Sequence, residues 1–225
     1  MRKDGDLMNG VQTNRRIPLL IFLILALSSG WLSTYLHSDG TRRSQAGLPE
    51  PVQTQAQGGT SKEIDGYSVA ITFKYNYTID ALVVSTKNYD SGGLSDKLAP
   101  VDLGLAWGNV AAYNGSVDFH WDQHDRWIYW HVDDISQLDR IGTTADVDRQ
   151  YSNNHSIPAT STVKKQLEKI KRGDRVKLEG YLVDVYAERD DGAWFEWNTS
   201  TSRLDTGDGA CEVFYITKIE IIERS

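Results

Sequence analysis

From Tyr67 to Ile79 every second residue is apolar or aromatic: Tyr67, Val69, Ile71, Phe73, Tyr75, Tyr77 and Ile79 alternate with small or polar positions. Period two sustained over that length predicts a long or bent β-strand with one buried face. The run Ala81-Leu82-Val83-Val84 extends it, and Asn88 to Gly93 supplies a turn. Val117 to Trp121 and Trp127 to Val132 predict a hairpin around Asp122-Gln123-His124-Asp125, whereas residues 133–160 show no clear period. One helix is predicted: Thr160 or Ser161 caps it, Val163, Leu167 and Ile170 form its apolar stripe, and Gly173 stops it behind Lys171 and Arg172. Strands follow from Val176 to Val185 and from Trp194 to Asn198, the second behind an Asp190-Asp191-Gly192 turn. The last strand, Cys211 to Ile222, sets Val213, Tyr215, Thr217, Ile219 and Ile221 on one face. The pattern predicts a mainly β (α+β) class: an antiparallel β-rich domain with one or two short helices. Gly173-Asp174-x-Val176-x-Leu178-x-Gly180 is compatible with a small barrel of the OB or SH3-like sort.

The other strong hydropathy feature lies upstream. Ile17 to Leu36 holds no charge across 20 residues, about the length of a transmembrane helix. Arg2, Lys3, Arg15 and Arg16 precede it, and Arg42 and Arg43 follow, so an uncleaved, single-pass anchor with a cytoplasmic N-terminus is expected. A signal peptide ending near Ala26-Leu27-Ser28 is the alternative, but the apolar run continues through Trp31, Tyr35 and Leu36. Residues 37–61, rich in Gly, Ser, Thr, Gln and Pro, read as a flexible linker. The expected organisation is a cytoplasmic tail 1–16, a membrane helix 17–36, the linker 37–61 and an exported domain 62–225.

Composition narrows the function classes. The chain of 225 residues carries 24 Lys and Arg against 31 Asp and Glu. With the four basic and two acidic residues of 1–37 set aside, 20 and 29 remain, a net charge of −9. Affinity for phosphate backbones comes from clustered cations, so no nucleic-acid partner is expected. A single cysteine excludes an intramolecular disulfide and a Cys-rich zinc module.

Several runs carry a resemblance: Ala81-Leu82-Val83-Val84-Ser85; Pro100-Val101-Asp102-Leu103 with Trp107-Gly108; Arg126-Trp127-x-Tyr129-Trp130; Ser152-x-Asn154-His155-x-Ile157-Pro158-Ala159; and Arg203-x-Asp205-Thr206-Gly207-x-Gly209-Ala210-Cys211-Glu212. Together they resemble an uncharacterised family of bacterial inner-membrane-anchored envelope proteins. The resemblance implies a periplasmic C-terminal domain and supplies no catalytic residue.

Three groups of residues are candidates for chemistry. Cys211 and His155 both lie in polar, turn-forming contexts, and an imidazole beside a thiol is the minimal apparatus for acyl transfer. Asn154 would orient the histidine, and loop N–H groups near Gly209 would stabilise an oxyanion. Against this, Cys211 also reads as a small buried hydrophobe opening the last strand, with His155 hydrogen-bonded within a loop. His120, Asp122, His124 and His131 crowd the hairpin, but the HExxH pattern is absent and the cluster reads as solvated surface. No metal and no cofactor are therefore expected. Third, the aromatic side chains Trp107, Trp127, Trp130 and Trp194, with Arg203 and Asp205, are candidates for a binding surface. The leading expectation is a membrane-anchored exported binding or accessory domain with a protein partner in the envelope. A Cys/His hydrolase or acyltransferase and an aromatic glycan-binding module are the alternatives.

Overall fold

A computed structural model describes residues 43–202, 204 and 210–225. The apolar run 17–36, and Arg203, Asp205 and Gly209, lie outside the described residues. Among those described, no helix is long and apolar enough to cross a membrane. In chain order the elements are β1 (Val52–Gln55), β2 (Gly59–Ile64), β3 (Tyr67–Asn88), α1 (Leu94–Leu98), β4 (Val101–Ala106) and α2 (Gly108–Tyr113). Next come the hairpin β5 (Asp122–His124) and β6 (Trp127–Tyr129), a 3-10 turn Ile135–Arg140, and α3 (Thr144–Asp148). The chain ends with β7 (Tyr151–Pro158), α4 (Ser161–Leu167), β8 (Arg175–Arg189), β9 (Trp194–Trp197) and β10 (Glu212–Glu223).

Five strands close on themselves. β3 pairs antiparallel with β4, β4 with β7, β10 with β8, and β8 with β3, while β7 and β10 run parallel. The ring is therefore β3-β4-β7-β10-β8 and back to β3, a barrel without free edges. Its interior is filled by Tyr77 and Ile79 from β3, Leu103 and Leu105 from β4, Leu178 and Leu182 from β8, and Phe214 and Ile216 from β10. None of these is more than 1% exposed. α4 adds Val163 and Leu167 to the same core, its Thr160 side chain accepting the Val163 N–H as an N-cap. At Gly180 a Cβ would run into the backbone of Tyr215 and Ile216, so β8 and β10 meet there only because the side chain is absent.

Outside the barrel a second cluster forms from Val69, Ile71, Val183, Val185, Ala187 and Val213, with Leu98 and Ala99 from the β3–β4 connection. Here one sequence expectation needs refinement and another correction. The period-two run from Tyr67 to Ile79 is unbroken in sequence, yet the β3–β8 register slips between Phe73 and Tyr75. That bulge turns Val69, Ile71 and Phe73 toward the outer cluster and Tyr75, Tyr77 and Ile79 toward the interior. In β10 a slip between Ile216 and Lys218 does the same. Val213 and Tyr215 face outward and Ile219 and Ile221 inward, so these residues do not share one face.

The linker expectation is also corrected for residues 43–61. Gln45 N–H donates to Ala111 O at 2.8 Å, Leu48 is 4% exposed, and β1 and β2 both pair with β3. Edge strands facing solvent satisfy their backbone on a neighbour without an apolar face, which leaves no periodicity to read. In the hairpin, the turn falls at Asp125 and Arg126 rather than across 122–125. Both residues have positive φ, 51° and 68°, the signature of a two-residue type I′ connection.

Candidate functional site

A cleft of about 460 Å³ opens on the outer surface of the barrel beside β7 and the start of β10. Ser95 reaches it from α1, Arg126 and Trp127 from the hairpin turn, and His155 from β7. Phe195, Glu196, Trp197 and Asn198 form the β9 wall, and Cys211 lies at the entry to β10. The hairpin lies close on β4 because Gly104 has no side chain: a Cβ there would collide with Ile128 and crowd Ser85.

Arg126 ties these walls together. Its Nη1 donates to Asp102 Oδ1 and to Ala99 O, both at 2.8 Å, and its Nη2 donates to Asp96 Oδ1 at 2.5 Å. The guanidinium stacks over the Tyr89 ring at 3.7 Å and lies 5.6 Å from the Trp197 ring. Its carbonyl accepts from Asn153 Nδ2 at 2.7 Å. A non-glycine residue in the left-handed region is uncommon, and here its neighbours over-determine it from every side.

His155 and Cys211 share the cleft, although 55 residues separate them in sequence. The parallel β7–β10 register opposes His155 to Val213, so His155, Val213 and Cys211 project to the same side. His155 is 3% exposed and packs on Trp197 with ring centroids 4.3 Å apart. Its Nδ1 lies 3.1 Å from Asp102 Oδ2. The two atoms do not meet hydrogen-bond geometry, so the contact is one of proximity. Asn153 Nδ2 donates to Cys211 Sγ at 3.4 Å. Asn154 is corrected: its amide donates to Leu103 O and Ser152 O at 3.3 Å and to Ser152 Oγ at 2.9 Å, on the interior side. Adjacent residues of a strand face opposite ways, so Asp102 and Trp197, not Asn154, position the imidazole.

Tyr89 and Asp96 report the electrostatics beneath the cleft. Burial and the Asp102 charge push the Tyr89 phenol up to about 12, while Arg126 opposes the shift. Burial works to raise Asp96, but hydrogen bonds from Ser91 and Arg126 outweigh it and hold the carboxyl below its ordinary value. A carboxyl depressed in the folded state stabilises above its unfolded value of about 3.9, and that stabilisation is lost as pH falls through the folded pKa. Asp96→Asn is therefore expected to flatten the loss of stability on acidification below about pH 4. Unfolding midpoints measured across that range check it; parallel wild-type and variant curves would refute the assignment.

The aromatic candidates separate by position. Trp127 lines the cleft. Trp194 is 65% exposed on β9, beside the cleft wall but outside its lining. Trp107 is fully buried and cannot meet a ligand from solvent. Trp130 packs under the hairpin, edge-on to Phe119 at 5.6 Å, with its N–H donating to Asp148. The sequence pattern does not single out Asp102, Arg126 or Phe195 as site residues. The one local signal was an arginine beside a tryptophan at a hairpin turn.

No family model, no curated protein and no solved structure matches the chain.

Proposed function

We propose that the protein is a membrane-anchored, exported binding domain of a bacterial envelope, and that its barrel is of the OB type with an oligosaccharide ligand in the cleft. The strand order and the parallel third and fifth barrel strands, with α4 between the third and fourth, support the OB reading. In that fold the face of strands two and three, flanked by the loops joining strands one to two and four to five, is the ligand surface. The corresponding parts here are β4 and β7, the loop bearing Ser95 and the segment bearing Phe195 to Cys211. The observation that carries the proposal is the pairing of Trp127, Phe195 and Trp197 with Glu196, Asn198 and Arg126 in one cleft. Rings stack on sugar faces while carboxylate, amide and guanidinium groups bond hydroxyls. Net charge of the exported part disfavours an oligonucleotide, and the apolar run 17–36 supports the anchor.

The test is tryptophan fluorescence of the full-length protein in detergent micelles, titrated with muropeptides and with neutral oligosaccharides. Saturable binding is expected, weakened at least about tenfold in Trp197→Ala, since a stacked ring contributes about 1–2 kcal/mol. Absence of saturation by either class would end the proposal. A second reading is favoured by one observation, that Cys211 and His155 line the same cleft. A thiol enzyme requires Cys211 to alkylate rapidly with a pKa well below about 8.5, and to lose that reactivity in His155→Ala. A thiol that reacts only on unfolding would eliminate it.

A further inference from the structure

On the face of the hairpin turned away from the core, four polar side chains meet that sequence spacing keeps apart. The β5–β6 register pairs Asp122 with Tyr129 and His124 with Trp127. His120 N–H donates to His131 O at 2.9 Å, which carries the same register beyond the formal strands. His120 therefore opposes His131, and both rings project to the same side of the ladder. Phe119 and Trp121 point the other way and are 2% and 7% exposed, so the outward residues stand on an anchored backbone.

The two imidazoles lie nearly parallel, their centroids 4.4 Å apart. The Asp133 carboxylate spans them, with Oδ2 3.7 Å from His120 Nε2 and Oδ1 4.0 Å from His131 Nε2. Asp118 Oδ1 lies 3.9 Å from His120 Nε2 on the opposite flank. Donor atoms of His120, His131 and Asp133 all fall within 4.8 Å of one another.

We propose that His120, His131 and Asp133 form a three-ligand binding site for a borderline divalent transition cation such as Zn²⁺, with solvent in the fourth position. Two imidazoles and carboxylate oxygens are the donor set such ions take, whereas Mg²⁺ and Ca²⁺ prefer oxygen alone. With bonds of about 2.0–2.2 Å, tetrahedral donors stand roughly 3.4 Å apart, so each side chain has to move by about an ångström. His120 is 41% and His131 67% exposed at the side chain, which leaves both free to make that adjustment without repacking the core.

The experiment uses the full-length protein in detergent micelles, stripped with EDTA and titrated with Co²⁺ as a spectroscopic probe. One Co²⁺ per chain is expected, with the visible d–d absorption of a tetrahedral site, displaced by Zn²⁺. His120→Ala and His131→Ala should each weaken binding at least about tenfold and Asp133→Asn by less, while His124→Ala and Cys211→Ser leave it unchanged. Circular dichroism confirms that the variants fold. Failure of the wild-type chain to saturate, retention of affinity in both histidine variants, or loss in Cys211→Ser would each overturn the proposal.

Discussion

Arg126→Ala should cost about 3–5 kcal/mol of folding stability, the range for removing one partner from a buried ion pair. Its side chain is 18% exposed, and the carboxylates it serves are 10% (Asp96) and 0% (Asp102) exposed at the side chain. Without it two acidic groups remain under the cleft floor with no cation between them, and the Tyr89 ring loses its stacked guanidinium. The pH dependence carries the diagnostic sign. In the variant Asp96 loses one of the interactions that hold its carboxyl below the ordinary value, so the deficit is full at neutral pH and shrinks as pH falls toward about 4 and below. Arg126→Lys keeps the charge but loses the planar fork, and a smaller loss is expected. Denaturant unfolding at pH 7 and pH 4.5 measures both effects. A change under about 1 kcal/mol at pH 7 would show that the network is no more than a surface ion pair.

A loss of similar size is expected from Phe214→Ala, for a different reason. Phe214 is fully buried in the barrel and meets Tyr77 edge-on, ring centroids 5.0 Å apart. Truncation removes the transfer energy of the ring and leaves a cavity that five closed strands cannot collapse, about 3–5 kcal/mol together. Phe214→Leu should recover much of it. The neighbouring Val213, register partner of His155, faces the other side, so the cleft keeps its residues in place. The saccharide affinity proposed for the cleft, measured well below the unfolding midpoint, should therefore be the same in variant and wild type while the midpoint falls. A parallel loss of affinity would mean that the interior and the cleft are coupled through β10.

These outcomes bear on how far the sequence could be read. Local patterns exposed β3, α4 with its Thr160 cap, and the hairpin, because each depends on neighbours in the chain. The bulges of β3 and β10 left no trace, since inserting one residue into a strand preserves alternation on either side while exchanging the faces. Residues 43–61 were mistaken for a tether because β1 and β2 draw their stability from ladder bonds to β3, not from an apolar stripe. The cleft divides likewise. Cys211, His155 and Trp127 were singled out by residue type, but Asp102 and Arg126 form a site only through the β4–β7 and β7–β10 pairings. The sequence groups His120, Asp122, His124 and His131 at the hairpin, but only the cross-strand register shows that His120 stacks on His131.

The circuit of strands also sets an order of events. β10 is the last element in the chain, and it fills the gap between β7 and β8. Until those closing residues are available, β7 and β8 each retain a raw edge and the interior stays open to water. Among the strand pairings, the slowest to form are those spanning the greatest sequence distance, and here they join Tyr67–Leu82 to Arg175–Arg189. A partly synthesised chain thus has no stable barrel. The native state becomes reachable only once the carboxyl terminus has arrived, so the connectivity itself works as a safeguard against premature folding.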